Sequence, residues 1–137
     1  MKSIQKRNNI RIIGDGQQTI VMAHGFGCDQ KMWQYILPYF EKNYRVVLFD
    51  YVGSGQSDLA AYDREKYNSL HGYKRDLIDV IEALQLTNVI YVGHSVSSMI
   101  GMLAAIEKPE YFERLVMIGP SPCYLNDDHY IGGFDQT

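Results

Sequence analysis

Residues 89–106 read VIYVGHSVSSMIGMLAAI, and this stretch decides the fold. Its beginning, residues 89–92, is an unbroken apolar run rich in β-branched side chains, which is typical of a strand covered on both faces. Residues 96–108 are apolar nearly all round, which predicts a central, buried helix that ends before Pro109. A strand that passes through a short turn directly into a helix is typical of α/β proteins.

Other apolar runs extend this pattern on both sides. Residues 45–49 and 115–118 are similar to residues 89–92 and are likewise predicted to be strands covered on both faces. Residues 9–13 and 19–23 are short β-rich runs. The Gly14-Asp15-Gly16 segment between them predicts a tight hairpin that pairs the two runs antiparallel.

Two further helices are predicted between the strands. Leucine, tyrosine and isoleucine recur at helical spacing from Leu70 to Leu84, opposite a charged face, which predicts an amphipathic helix packed on a sheet. Residues 32–40 predict a shorter helix, with Asp29 as its N-cap and Pro38 as a kink. The alternation of strands and helices predicts a single α/β domain over residues 1–137, with a mostly parallel sheet and flanking helices.

Length and composition limit the classes of function. The chain has 137 residues, 46% of them apolar and 21% charged, which is enough for one globular domain and argues against disorder. A formal charge of -3 and the lack of a Lys/Arg cluster argue against nucleic acid as a partner. The longest nearly apolar run, residues 99–106, is too short to cross a membrane.

The N-terminus and the cysteines add further expectations. No apolar stretch follows the first positive charges, so the sequence predicts no signal peptide and a cytoplasmic location. Cys28 and Cys123 are too few for a disulfide framework or a zinc site. We expect no metal and no cofactor.

The turn at residues 93–97 carries the strongest chemical signal. A nucleophile elbow holds a serine in a strained strand-to-helix turn between small neighbours, and Ser95 occupies that position after Gly93 and His94. The Val96 N–H would stand at the free N-terminus of the following helix, where it can stabilise an oxyanion. Ser97 stands where the usual pattern has a glycine. The alternative interpretation is that Ser95 only caps the helix.

A second glycine-rich segment, His24-Gly25-Phe26-Gly27, follows the predicted strand of residues 19–23. Glycines let this loop approach a substrate oxygen closely, and Phe26 N–H is the candidate for a second oxyanion donor. The alternative, a dinucleotide-binding loop, lacks its third glycine and its acidic partner. We interpret His24 as a brace of the loop. Residues 50–58 have no phosphate-cradle or metal-site spacing and are interpreted as a structural loop.

Four segments together resemble one family. They are GFGCDQKMW (25–33), FDYVGSGQSDLAAYD (49–63), GHSVSSMIGMLA (93–104) and GPSPCYLND (119–127). They resemble the RsbQ-like α/β-hydrolases, bacterial regulators of the energy-stress activation of the general stress sigma factor. They are also similar to the plant strigolactone and karrikin receptor hydrolases, in which a serine likewise stands at the position of Ser97.

The resemblance implies roles for the residues of both loops. It implies Ser95 as nucleophile, Phe26 and Val96 as oxyanion donors, and a small apolar pocket for a hydrophobic substrate or ligand. We expect support of the elbow and the pocket from a second group of residues: Gly25, Gly93, His94 and Ser97. A PAS-domain phosphatase is the protein partner that the resemblance implies.

A serine nucleophile also needs a base and a carboxylate that orients the base, in the chain order Ser, acid, His. His129 is the one histidine after Ser95, and Asp127 and Asp128 are directly beside it, which does not suit an acid that acts from a separate strand. By the resemblance, the acid and base follow two later strands, and residues 131–134 resemble the entrance to a helical lid. We therefore expect the N-terminal half of a serine hydrolase, with little activity alone. A ligand receptor with little turnover and a non-functional remnant are the alternatives.

Overall fold

The structure is a computed structural model that describes residues 2–135. Within that range the strands are β1 (Arg11–Ile13), β2 (Thr19–Ala23), β3 (Arg45–Leu48), β4 (Val89–His94) and β5 (Phe112–Ile118). The α-helices are α1 (Lys2–Arg7), α2 (Leu37–Phe40), α3 (Leu70–Ala83) and α4 (Val96–Glu107). Short 3-10 helices span Gln30–Trp33, Leu59–Ala61 and Pro109–Tyr111.

The strands form one mixed sheet in the order β1-β3-β2-β4-β5. β1 runs antiparallel to β3, and the other neighbours are parallel. This topology confirms the predicted α/β class. The predicted hairpin is wrong, because β3 lies between β1 and β2. Gly14 instead packs closely against the backbone of the segment just before β3. A Cβ at Gly14 would lie 2.3 Å from the Tyr44 carbonyl oxygen.

Both faces of the central strands are covered. On one face α3 and α4 contribute Leu77, Ile81 and Ile100 to the main core. On the other face Trp33 and Leu37 pack against β2 and β3. The middle of β3 is fully buried, as predicted for residues 45–49.

The edge strand β5 differs from the prediction for residues 115–118. Val116 and Ile118 are 44% and 43% exposed. Val116 is paired with the half-buried Val92 of β4, so both residues of β5 lie on the same face of the sheet as Val92. Trp33 and Leu37 cover another part of that face, over β2 and β3. No element within residues 2–135 covers this end of that face. The apolar run therefore predicted a strand correctly but did not predict its burial.

Helix α4 is buried on the sides that face α3 and the sheet, through Ile100 and Ala104. Its outer flank is open, since Ile106 is 72% exposed, so the prediction of a helix buried all round is wrong there. The helix ends before Pro109, as predicted, and α3 matches the predicted amphipathic helix. No helix within residues 2–135 has the length and apolar character needed to cross a membrane.

Residues 30–40 form two short helices where the sequence predicted one. The Asp29 carboxylate accepts a hydrogen bond from the Lys31 N–H at 2.8 Å, which confirms the predicted N-cap. Pro38 lies in the first turn of α2, where helix geometry requires no N–H donor. Pro38 therefore begins a second helix and does not kink the first.

Candidate active site

Ser95 occupies the turn between β4 and α4. Its φ of 56° and ψ of -121° are a strained conformation for a residue with a side chain. Its N–H donates to the Ile118 carbonyl at 2.7 Å, and its own carbonyl accepts from the Ser98 N–H at 2.9 Å. The Ser95 hydroxyl makes no capping hydrogen bond to α4, which argues against the interpretation of a helix-capping serine.

Two glycines allow the chain to pass close to this turn. A Cβ at Gly93 would lie 2.6 Å from the Ser97 carbonyl oxygen, at the start of α4. A Cβ at Gly25 would lie 2.5 Å from His94 Nδ1 and 3.4 Å from the Ser95 Cβ. The loop after β2 therefore rests directly against the elbow, and a larger residue at either position would force the two apart.

The Phe26 and Val96 amides, predicted as oxyanion donors, belong to the two loops at the edge of the sheet that carries Ser95. β2 and β4 are parallel neighbours, with Ala23 opposite Gly93, so the loops after both strands emerge at the same edge of the sheet. The Phe26 N–H donates no hydrogen bond to a backbone carbonyl within residues 2–135. The Val96 N–H belongs to the first residue of α4, where an amide has no partner within the helix.

A cavity of about 390 Å³ opens in front of the elbow. It is lined by Phe26, Ser95, Val96, Tyr124 and Phe134. The last two residues come from the segment after β5, which hydrogen bonds hold together: the Phe134 N–H donates to the Tyr124 carbonyl at 3.0 Å. Neither Tyr124 nor Phe134 was predicted from the sequence to line the pocket. One feature of the sequence could have indicated both residues: they are aromatic and follow the carboxyl end of a strand in the parallel sheet, which is where α/β folds bind ligands.

His24 is buried and engaged at both ring nitrogens. The Nδ1–H donates to the Gly25 carbonyl at 2.8 Å, and Nε2 accepts from the Tyr51 N–H at 3.1 Å. These partners assign the proton to Nδ1, and burial lowers the pKa of His24 below its usual 6.5. A neutral ring with both nitrogens occupied holds the loop in place and has no free site to accept the Ser95 proton.

His129 lies in an exposed turn of the segment after β5. Its backbone N–H donates to the Asp127 carboxylate at 2.8 Å, and the Asp127 N–H donates to the Tyr130 carbonyl at 2.9 Å. Within residues 2–135, no histidine ring is hydrogen-bonded to a carboxylate. The described part of the chain thus holds a candidate nucleophile and candidate oxyanion donors without an assembled acid–base pair.

Asp50, predicted from the sequence to be part of a structural loop, connects three neighbouring segments of the chain. Its buried carboxylate accepts hydrogen bonds from the Gln30 N–H and the Gln56 N–H at 2.9 Å each, and from Asn9 Nδ2 at 2.8 Å. A Cβ at Gly55 would lie 2.5 Å from the Asp50 carboxylate. The tight turn of residues 50–58 therefore serves to hold neighbouring loops.

The family model for the alpha/beta hydrolase fold matches residues 18–134, and the chain belongs to that family. It is 46% identical, over 99% of its length, to the karrikin insensitive 2 receptor CA of Petunia hybrida. It is 48% identical, over 93% of its length, to the strigolactone esterase D14 of Arabidopsis thaliana. A solved hydrolase from Oleispira antarctica has a TM-score of 0.92 and 48% identity over 98% of the chain.

The chain spans about half the length of these relatives. The matched part is 50% of the Petunia receptor, 48% of the Arabidopsis esterase and 50% of the Oleispira hydrolase. The similarity to plant strigolactone and karrikin receptor hydrolases is confirmed. The resemblance to RsbQ-like regulators stays a prediction from the sequence.

Proposed function

We propose that this chain is the N-terminal part of a serine hydrolase that cleaves an ester or similar acyl bond in a small hydrophobic compound. The observation that carries the proposal is Ser95 itself: it is a strained residue at a strand-to-helix turn, its hydroxyl does not cap the helix, and the residue lines an aromatic-walled cavity. A strained nucleophile turn at the carboxyl edge of the sheet is the geometry that acyl transfer in this fold uses.

In the proposed reaction, Ser95 Oγ attacks the carbonyl carbon of the substrate while its proton passes to a base. The carbonyl π electrons move to oxygen, and the Phe26 and Val96 amides stabilise that oxyanion. The intermediate collapses to acyl-Ser95 and expels the alcohol, which takes up the proton from the base. Water then releases the acid by the same steps. The base and its carboxylate come from a part of the protein beyond this chain.

Gly25, Gly93, His94 and Ser97 have supporting roles in this proposal. Gly25 and Gly93 permit the close contact between the β2 loop and the elbow, and His94 fills the space under Gly25. Tyr124 and Phe134 provide apolar walls for the substrate. This lining supports a hydrophobic compound as the substrate or ligand.

The test joins this chain to the second half of the Oleispira hydrolase, a hybrid called the fusion below. We expect the fusion to hydrolyse a short-chain acyl nitrophenyl ester and Ser95→Ala to reduce turnover to background. Ser69→Ala is the control, because Ser69 is exposed and its side chain caps no helix. Turnover that survives in Ser95→Ala would overturn the proposal.

A second candidate function is a ligand receptor with slow turnover, favoured by the relatives that are named receptors. Product release separates the two. Many equivalents of released nitrophenol per protein indicate an enzyme, whereas about one equivalent with a retained acyl group indicates a receptor. An RsbQ-like role in stress signalling, with a PAS-domain phosphatase as partner, is supported by the sequence resemblance alone.

A further inference from the structure

A buried group of hydroxyls lies beneath the elbow, and the mechanism above does not use it. It consists of the side chains of Ser97, Tyr51 and Tyr91 and the backbone carbonyl of His24. All four residues are at most 4% exposed. Buried hydroxyls without partners are costly, so their hydrogen bonds define how the surrounding segments fit together.

Two hydrogen bonds of this group have a fixed direction because their acceptors are backbone carbonyls. The Tyr91 hydroxyl donates to the Ser97 carbonyl at 2.8 Å, and the Ser97 hydroxyl donates to the His24 carbonyl. Both carbonyls can only accept, so these two bonds use the protons of Tyr91 and Ser97. The Tyr51 hydroxyl lies 3.2 Å from Ser97 Oγ and 3.4 Å from the Tyr91 hydroxyl oxygen, and its own proton can be donated to either of these oxygens. Burial raises the pKa of Tyr51 to about 12, so this donor stays protonated at neutral pH.

The bond between Ser97 and His24 joins the two segments that carry the candidate oxyanion donors. His24 lies two residues before Phe26, and Ser97 directly follows Val96. The His24 ring, bonded to the Gly25 carbonyl, stiffens the loop between the bond and the Phe26 amide. Glycine, the usual residue at the position of Ser97, has no hydroxyl that could make this connection.

We propose that Ser97 is a positioning residue that sets the separation of the Phe26 and Val96 amides and so aligns the oxyanion hole. This inference rests on the proposed function. Loss of the hydroxyl should let the β2 loop move relative to the elbow and lengthen one of the two hydrogen bonds to the oxyanion. Those bonds count most in the transition state, so the effect falls on kcat and leaves KM nearly unchanged.

The test compares Ser97→Ala with Ser98→Ala in the fusion. Ser98 is the matched control: it is buried in the same turn, and its hydroxyl donates to the Gly93 carbonyl at 2.8 Å, a bond made within the elbow. Both variants should melt at a lower temperature. Only Ser97→Ala should lose about tenfold or more in kcat. Removal of an oxyanion donor itself causes larger losses than this. Rates are divided by the concentration of reactive sites, measured as the end point of titration with a serine-reactive phosphonate.

A second readout follows the oxyanion directly. A boronic acid that forms a tetrahedral adduct with Ser95 should bind Ser97→Ala more weakly, by about the same factor as the loss in kcat. Ser97→Gly, which has the residue of the usual elbow pattern, replaces Ser97→Ala if the alanine variant does not fold. Equal kcat values for the Ser97 and Ser98 variants would overturn the inference. Continued turnover in Ser95→Ala would instead overturn the proposed function.

Discussion

Ser95 and His24 both follow strands at the carboxyl edge of the sheet, but the two residues have different surroundings. Ser95 has a strained backbone and lines a cavity. His24 is buried, and both of its ring nitrogens have partners. Residue type alone would allow either residue a part in the chemistry, but both nitrogens of the His24 ring already have partners, which favours Ser95 as the candidate nucleophile.

The burial of His24 predicts a dependence of stability on pH. Its pKa in the folded state is below the unfolded value of 6.5, so above about pH 6.5 the ring is neutral in both states. Below that pH, His24 is protonated in the unfolded chain but stays neutral in the folded protein. We therefore expect the free energy of unfolding to decrease as the pH falls from 6.5 toward the folded pKa.

Denaturant unfolding of the fusion at about pH 7.5 and about pH 5 checks this dependence. His24→Gln should be less stable at the higher pH and should lose less stability on acidification. His71→Gln, at an exposed position on α3, should keep the original difference between the two pH values. An unchanged acid sensitivity in His24→Gln would show that other groups cause it.

At the scale of elements, one glycine sets how closely α4 approaches the sheet. A Cβ at Gly101 would lie 2.1 Å from the Tyr91 ring, which is fully buried on β4. The backbone of α4 at Gly101 therefore packs directly against the Tyr91 ring. The same approach brings the Tyr91 hydroxyl to the Ser97 carbonyl at the start of α4.

Gly101→Ala should therefore destabilise the protein. In an open helix this change gains about 1 kcal/mol from helix propensity, whereas overpacking a close contact costs about 1–3 kcal/mol. We expect a net loss, measured as a lower denaturant midpoint of the fusion. A gain in stability would show that α4 stands further from β4 than the structure has it.

A second element-scale feature ties α1 and the segment before α3 to the core. The fully buried Asp76 carboxylate accepts from Lys66 Nζ at 2.6 Å and from the Tyr67 hydroxyl at 2.8 Å. Arg7, at the end of α1, lies 3.3 Å from the same carboxylate. Since removing one member of a buried ion pair leaves a charge without its partner, a substitution in this cluster should cost far more than the loss of a surface pair.

Asp76→Asn should lower the free energy of unfolding of the fusion by about 3 kcal/mol or more. Glu82→Gln is the comparison on the same helix: its exposed carboxylate lies 3.6 Å from Arg75, and its loss should cost less than about 1 kcal/mol. Denaturant unfolding at neutral pH measures both. Similar costs for the two variants would contradict the assigned role of the buried cluster.

At the scale of the whole molecule, the described residues leave one end of the sheet uncovered. Val116 and Ile118 stand on an open face, and β5 has one strand neighbour, β4. Burial of a few hundred Å² of apolar surface contributes several kcal/mol at about 25 cal/mol per Å². This is a large part of the roughly 5–15 kcal/mol that stabilises a typical domain.

We therefore expect the 137-residue chain alone to be oligomeric, aggregated or molten. Size-exclusion chromatography with light scattering and near-UV circular dichroism of Trp33 and the tyrosines measure this state. The fusion should be a monomer with a sharp thermal transition. A monomeric isolated chain with an equally sharp transition would show that the open face needs no cover.

The isolated chain should also hydrolyse nitrophenyl esters no faster than its Ser95→Ala variant. The reason is that no histidine within residues 2–135 is hydrogen-bonded to a carboxylate, so Ser95 lacks an oriented base. Ester turnover that depends on Ser95 and matches the fusion would contradict this expectation. His129→Ala would then show whether the exposed loop histidine supplies the base.

Local patterns in the sequence determined much of this protein. The apolar runs predicted the strands, the 3.6-residue period predicted α3, and the Gly93–Ser97 turn predicted the elbow. Each of these features depends on residues close together in the chain. Four motifs in order also indicated the family before any tertiary contact was known.

Contacts between distant segments decided the rest. β1 pairs with β3 and not with β2, because pairing depends on which strands meet in the folded sheet. Tyr124 and Phe134 join the cavity because their loop folds back over Ser95. The link from Ser97 to His24 spans 73 residues, so no periodicity or turn signal could predict it. The exposure of β5 likewise depends on what packs on the sheet, which a strand's own apolar pattern cannot specify.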